Sequence, residues 1–373
     1  LREEKVAKLL QQSQGPKTLK KIDRRSLLKG AAGAGVALAA GPLLTTVGRA
    51  QASATIRYAD DGGYNYDRRF EAYLKPFMEK TGVEIQHYVG DKSLAKMKAM
   101  TQVGNLEFDM GNELGTVSAA ADKAGYLAPL DKSRLDMSRH MFPEWVFNGS
   151  IAWQYYTGGI GYNQKALQGK PLPKTWAEYF DFKAFPGRRG MLSRPQETLE
   201  QALMADGVKP SELYPLDLDR AYKSLDRVKN DVKIWINDTG KTIELLQTNE
   251  IDYTYTTSAR VVAAAKAGVP LGMLSEMPLN PPQNVHIMKG GKNYDACMEL
   301  AKWFTQNTEA GIRYFTVQIG YGPTDKPTLE GLPQDIKAQL PSRDNPQAVW
   351  LNVDWWSQNL EAVTQRHKLW LLT

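Results

Sequence analysis

The sequence predicts an α/β protein of two lobes with mainly parallel sheets. Three observations predict it. Short runs rich in β-branched and aromatic residues alternate with stretches of helical periodicity. That alternation breaks at IAWQYYTGGIGYN (151–163), where two strand-like pieces flank Gly158, Gly159 and Gly161, and then starts again. The 373 residues suffice for two domains or one large two-lobed unit.

In the first half, TIRYA (55–59) reads as a strand, and Asp60-Asp61-Gly62-Gly63 as a turn cluster. Phe70, Tyr73, Leu74, Phe77 and Met78 recur at helical spacing, and Thr81-Gly82 stops that helix. VEIQHYV (83–89) is a second strand. A helix follows around 93–103, then a short strand at FDM (108–110). The next helix carries Leu114, Val117, Ser118 and Ala121 and ends at Gly125.

In the second half, GMLS (190–193), IWI (234–236), DYTYTT (252–257) and PQNVHIM (282–288) read as strands. Helices fall between them at 196–206, 218–229, 240–249 and 259–267. Further helices follow at 294–307 and 308–317. The last, near 354–367, carries Trp356, Leu360 and Val363 on one face. No repeat or low-complexity linker separates the halves. The join near 156 is a glycine-bearing strand, which suggests a hinge-bending pair with a cleft between the lobes.

The charge is unevenly placed. The chain carries a formal net charge of +6, but residues 1–52 hold ten Lys and Arg against three Asp and Glu. The remainder has 37 basic and 38 acidic residues. A body this balanced lacks the basic footprint of a nucleic-acid binder, and no nucleic-acid partner is expected.

The surplus sits on a segment that reads as an address. Lys20, Lys21, Arg24, Arg25 and Lys29 precede the uncharged run Gly30–Val47, and Ala50-Gln51-Ala52 fits a small-residue cleavage site. The run is rich in Ala and Gly and holds Pro42, which makes it a weak membrane anchor. Arg24-Arg25 with Leu27, Leu28 and Lys29 resembles a twin-arginine export signal, from which Asp23 and Leu27 depart. The expectation is a cleaved export signal over 1–52, with a periplasmic mature chain starting near Ser53.

Catalytic signatures are sparse. Cys297 is the one cysteine of the chain, which precludes an internal disulfide or a Cys-based metal site. It shares a helical face with Leu300, Ala301 and Phe304 and reads as core. His87, His140, His286 and His367 are dispersed, with no H-E-x-x-H helix, and read as structural. Gly240-Lys241-Thr242 imitates the end of a P-loop, but Trp235 stands where its first glycine belongs. There is no G-x-S-x-G elbow, dinucleotide fingerprint, haem or iron–sulfur signature. The expectation is no enzyme, no cofactor and no metal.

Several stretches in order then carry a likeness: KPFMEKTGVEIQ (75–86), GYLAPLD (125–131), GGIGYN (158–163), KTWAEYFD with FPGRRGML (174–192), the strand and helix over 253–269, and IGYGPT (319–324). Together they resemble the solute-binding proteins of bacterial ABC importers, the extracellular family 1 group that includes spermidine/putrescine-binding proteins. The resemblance covers nearly the whole mature chain. It implies a type II periplasmic-binding fold, with a five-stranded sheet in each lobe and a two-crossing hinge. Lobe 1 would comprise 53–157 plus about 284–325. Lobe 2 would comprise 158–283 plus about 326–373. It also implies a small-molecule solute held between the lobes, and delivery to an ABC permease and ATPase complex by a monomer.

Ligands of α/β sheets sit beyond the carboxyl ends of the strands. The cleft-facing segments are therefore expected at 60–66, 112–116, 194–198, 255–260, 281–284 and 321–323. Polyamine-binding relatives place two carboxylates in the loop after the strand matching Gly190–Ser193. The resemblance sets Pro195 and Thr198 at those positions, and Gln283 and Asn284 in the segment of a third carboxylate. Arg194 in that first loop would repel a polycation. Iron-binding relatives use adjacent tyrosines, whereas Thr254 separates Tyr253 from Tyr255, and Tyr155-Tyr156 lie at the join.

What remains is Arg194 and Arg260 for a carboxylate, and Asp60, Asp61 and Glu113 for an amine. Thr198, Ser258, Gln283 and Asn284 would serve as polar contacts, and Tyr64, Tyr255 and Tyr321 as walls. The expected solute is an organic acid or amino-acid-like zwitterion. A polyamine and an exported cofactor-dependent enzyme are the alternatives.

Overall fold

A computed structural model of the protein describes residues 54–317 and 320–373. The expected export segment 1–52, its cleavage site and Ile319 of the IGYGPT stretch lie outside the described residues.

Strand β1 (Thr55–Ala59) leads into helix α1 (Gly63–Arg69), which passes through a π-helical turn (Phe70–Leu74) into α2 (Lys75–Thr81). Gly82, in the left-handed region at φ 72°, ends this helix. Next come β2 (Glu84–Tyr88), α3 (Leu94–Val103), β3 (Met110–Leu114) and α4 (Gly115–Lys123). The Ser93 side chain caps α3 by accepting from the Lys96 amide. After three 3₁₀ turns, β4 (Ser150–Tyr156) and β5 (Gly158–Asn163) meet at Thr157.

The second series runs α5 (Trp176–Phe180), β6 (Arg189–Leu192), α6 (Thr198–Ala205), α7 (Leu218–Asp226), β7 (Val232–Ile236), α8 (Lys241–Gln247), β8 (Tyr253–Thr257) and α9 (Ser258–Lys266). Thr175 and Glu178 close a reciprocal capping box at the start of α5. Strands β9 (Leu271–Asn280) and β10 (Pro282–Ile287) then meet at Pro281. The chain ends with α10 (Tyr294–Gln306), α11 (Thr308–Val317), β11 (Tyr321–Pro323), α12 (Lys326–Gly331), α13 (Gln334–Lys337), β12 (Val349–Trp350) and α14 (Val353–Leu372).

The strands form two six-stranded sheets, in orders β11-β4-β10-β3-β1-β2 and β12-β9-β5-β8-β6-β7. In the first, β1, β2, β3 and β4 run one way while β10 and β11 are reversed. In the second, β5 is reversed against the rest. The parallel parts come from strand–helix–strand units, and the reversed strands β5 and β10 come directly after the chain passes between lobes. The sheets are thus mostly parallel, as expected, with one strand more in each than the resemblance implied. The short edge strands β11 and β12 supply them.

Each sheet has its own core. Ile56, Tyr58, Met110, Trp153, Val285, Phe304 and Tyr314 pack in the first lobe. Ile160, Trp176, Leu192, Leu203, Tyr253 and Trp356 pack in the second. These cores shift the expected divisions. Pro282 and Gln283 pair in the first sheet through β10, although they were expected in lobe 2. Leu329, Leu332, Ile336 and Leu340 pack on the first core, although the segment from 326 was expected in lobe 2. The passage to lobe 2 comes later, before β12 pairs with the Leu279–Asn280 end of β9.

Helix α14 touches both lobes. Trp356, Leu360 and Val363 are buried in the second core, and the same cluster includes Ala120 of α4. The helix also packs along α4 itself. Among the described residues no helix is long and apolar enough to cross a membrane.

Candidate functional site

The two strand passages, at Thr157 and Pro281, bring the carboxyl ends of strands from both sheets toward one cleft. Its volume is about 730 Å³. Lobe 1 contributes Lys92, Glu113, Leu114 and Val117, lobe 2 contributes Ser193, Arg194, Gln196 and Asn237, and α14 contributes Glu361, Thr364 and Gln365.

On the lobe 2 side, the loop after β6 presents Arg194 beside Glu197. Arg194 donates from Nε and Nη2 to Glu197 Oε2 and Oε1 at 2.8 and 2.9 Å. Glu197 is fully buried and also accepts from the hydroxyls of Tyr156 (2.6 Å) and Tyr255 (3.2 Å). Its backbone holds φ 65° and ψ −36°, a region that non-glycine residues avoid. Backbone strain of this kind concentrates at ligand clamps, where the surrounding bonds hold it in place. Here those bonds fix a carboxylate that orients a guanidinium.

The electrostatics are consistent with a permanent cation. Burial alone would lower the Arg194 pKa, but Glu197 outweighs it and raises the value above the ordinary one. Its side chain keeps 31% of its exposure while Glu197 keeps none. Burial, and then the charge of Glu197, raises the phenols of Tyr156 and Tyr255 well above their usual range, so both remain neutral donors. Gly158 makes room for this arrangement, because a Cβ there would fall on the Tyr255 phenol.

On the lobe 1 side, Lys92 Nζ lies 2.6 Å from both Asp61 Oδ1 and Glu113 Oε2. Its side chain is 10% exposed, that of Glu113 15% and that of Asp61 58%. Burial lowers the Lys92 pKa, but Glu113 and then Asp61 raise it above the ordinary lysine value. Deeper in lobe 1, Asp60 pairs with Arg69, and both are nearly sealed from solvent. Arg69 lies 5.3 Å over the Trp153 ring.

The expected site residues divide. Arg194 and Glu113 line the cleft, with Asp61 joined to Glu113 through Lys92. Tyr255 supports Glu197 from beneath. Tyr321 is buried, with its ring 5.9 Å from that of Tyr156, and accepts from Asn65 at 3.3 Å. Arg260 donates to Thr239 at 3.2 Å, and Ser258 donates to the Gly320 carbonyl at 3.1 Å, next to the Thr157 passage. Gln283 accepts from Gln154 across the first sheet.

Four of the expected residues stand away from the cleft lining, each with a partner inside the chain. Asp60 is spent on Arg69 and on the Asp61 amide at 2.7 Å. Thr198 donates internally to the Leu192 carbonyl at 3.1 Å. Asn284 is buried in lobe 1, donating to Ser150 at 3.3 Å. Tyr64 stands on the surface beneath the Arg68 guanidinium, 5.0 Å from its ring centroid. An acid does stand in this loop: Glu197, one residue before Thr198, the position that the resemblance matched to a carboxylate.

Sequence reasoning missed Glu197, Tyr156 and Lys92 as site residues. Nothing in their local sequence marks them, and only the juxtaposition of strands does. The histidines are dispersed, as their spacing implied. Burial pushes His286 down to about 3 and His367 to about 4, which keeps both neutral. Among the described residues no group of three or more His, Cys, Asp and Glu is placed to hold a metal ion.

Comparison with known proteins bears on the family and the fold. The family model described as bacterial extracellular solute-binding protein matches residues 72–339. A gamma-aminobutyric acid-binding protein of Pseudomonas aeruginosa is 27% identical over 318 residues, covering 83% of this chain and 88% of that protein. The Atu4243–GABA receptor structure is 28% identical with a TM-score of 0.75, covering 86% of this chain and 97% of that one. The Agrobacterium tumefaciens R10 protein AgtB, solved with agropinic acid, is 28% identical with a TM-score of 0.77, covering 86% and 99%. The match spans well over half of the chain and both lobes, and the chain belongs to the bacterial extracellular solute-binding protein family.

Proposed function

We propose that the protein captures a small amino-acid-like zwitterion, with γ-aminobutyrate as the model ligand, and delivers it to an ABC permease and its ATPase. The observation that carries this reading is Arg194. Its guanidinium is fixed by a buried, strained carboxylate yet remains part-exposed in a cleft whose other wall is acidic. A fixed guanidinium recognises a carboxylate with two parallel hydrogen bonds. Asp61 and Glu113 supply negative charge for the ligand's ammonium on the opposite lobe. Two relatives of known structure or name bind γ-aminobutyrate, and a third binds agropinic acid.

Isothermal titration and thermal-shift measurements on the mature chain test this reading. γ-Aminobutyrate should bind with a micromolar or lower dissociation constant and raise the melting temperature. Absence of any shift with γ-aminobutyrate, other amino acids and their conjugates would overturn it, as would tighter binding of putrescine.

The rest of the reading is supported by the sequence of the N-terminal segment and by membership of an extracellular family. Residues 1–52 act as a twin-arginine-like export signal cut near Ala52, which leaves a periplasmic, non-catalytic monomer. N-terminal sequencing of the secreted protein checks the cut, and light scattering checks the mass. A start far from Ser53 or a stable dimer would revise those two points separately.

A further inference from the structure

The acidic wall of the cleft already holds an ammonium. Asp61 follows β1 and Glu113 lies in β3, so two neighbouring strands of the first sheet aim carboxylates at one point. Two carboxylates 2.6 Å from a primary ammonium form an arrangement that would recognise the amine of a ligand. Here the chain fills it with Lys92, from the turn that precedes α3. Ser93 N–H donates to Asp91 at 2.8 Å and the Ser93 side chain caps α3, so the turn that carries Lys92 is fixed.

Counting charge shows the consequence. Two carboxylates and one ammonium leave a single negative charge on this wall. Across the cleft, Arg194 and Glu197 sum to zero while still presenting a guanidinium edge. A ligand with one ammonium and one carboxylate matches both walls. The other lining charges cancel, Asp91 and Glu361 against Lys98 and Lys368, with Glu361 3.7 Å from Lys98 and Asp91 accepting from the Ser93 amide. A diamine brings a second positive charge that meets Arg194 rather than a buried anion.

We propose that Lys92 is a specificity-determining residue: its ammonium occupies the Asp61–Glu113 pair, limits the cleft to ligands with one amino group, and excludes diamines. This rests on the reading of the cleft as a zwitterion site. It makes selectivity a matter of an internal competitor as well as of attractive contacts.

The test compares the mature wild-type chain with Lys92→Met and Lys92→Gln by calorimetric titration with γ-aminobutyrate and with putrescine. Removing the lysine should raise putrescine affinity at least about tenfold and shift the ratio of the two affinities toward the diamine by at least that factor. Folded variants that keep the wild-type ratio within about twofold would overturn the proposal. Asp61→Asn, at an exposed position, provides a second arm in case both lysine variants misfold. It cancels the remaining negative charge, so γ-aminobutyrate affinity should fall at least about fivefold while putrescine stays excluded. Unchanged γ-aminobutyrate binding in that variant would also overturn the charge count. The two readings fail separately. If the wild type ignores γ-aminobutyrate while Lys92→Met gains putrescine binding, the zwitterion reading falls and the role of Lys92 stands. If the wild type binds γ-aminobutyrate and the ratio does not move, the role of Lys92 falls alone.

Discussion

Each lobe buries a carboxylate–guanidinium pair near the cleft, and the two pairs differ most in how far the guanidinium is exposed. In lobe 1, Asp60 and Arg69 are both about 2% exposed. The Asp60 carboxylate also takes the Asp61 amide and the Asn112 amide nitrogen, and the guanidinium lies over Trp153. In lobe 2, Glu197 is equally sealed, but its Arg194 partner keeps 31% of its exposure. The chemistry of the pairs is the same. The sealed pair can serve only the fold, whereas the half-open pair has a pre-oriented cation to offer a ligand. Exposure of one partner, rather than the presence of an ion pair, is what the proposed ligand site rests on.

The largest expected effect lies on the sealed side. Arg69→Met leaves Asp60 buried without its cation, which should cost about 3–5 kcal/mol of stability. Chemical denaturation checks this. A loss below about 1 kcal/mol would mean that water reaches the Asp60 pair, and the contrast between the lobes would dissolve.

A third buried carboxylate sharpens the comparison because it has no cation. Glu200, fully buried on α6, accepts from the Tyr214 hydroxyl at 2.5 Å and the Trp356 indole at 2.8 Å. Burial pushes its pKa up to about 7 from 4.5. Between these values the folded chain binds more protons than the unfolded one, so stability falls as pH rises. From this group, unfolding free energy should be fullest below pH 4.5, drop by about 3 kcal/mol as pH reaches 7, and level off above it. Glu200→Gln should flatten that slope and be more stable than the wild type in mild alkali. Denaturation midpoints across the pH range read this directly, and parallel slopes for the two proteins would refute it.

On the half-open side, Arg194→Ala should lower ligand affinity about a hundredfold, the worth of a charge-assisted pair of hydrogen bonds. Its cost in stability should be smaller than that of Arg69→Met, since the part-exposed Arg194 leaves water able to reach Glu197, whereas Arg69 is sealed. Titration and melting measured on the same variant separate the two losses. Equal affinity would remove Arg194 as the anchor. The smallest effect belongs to Tyr255→Phe, which removes one hydroxyl donor from Glu197 and should cost about 1 kcal/mol, with ligand affinity little changed.

Much of the fold is legible in the sequence, and the failures have physical causes. The strand TIRYA and the helices around 94–103, 218–226 and 294–306 announce themselves by local periodicity. Strand β9 does not, because Pro278 interrupts it. The structure places Pro278 in a bulge, where the pairing with β5 shifts between Gly158 and Ile160. Strand β3 lies at Met110–Leu114 rather than the expected 108–110, and takes Leu114 from the following helix, for a related reason. Asn112 and Glu113 look like loop residues, but their partners Trp153 and Lys92 come from distant segments.

The site is less legible still. Arg194, Glu113 and Asp61 could be picked out by charge and by position at strand ends. Glu197 could not be, since its orientation follows from a backbone turn that only the packed loop imposes. Lys92 reads as one more surface lysine until Asp61 and Glu113 converge on it.

The sequence by itself determined most of the order of strands and helices up to residue 317, the break near Thr157 and the family, because periodicity and motif order are written locally along the chain. The tertiary structure alone decided which acid meets which base, which cation stays half-open to the cleft, and that residues 326–340 stay with the first lobe. Those outcomes depend on burial and on contacts between residues far apart in sequence, and local pattern carries no record of either.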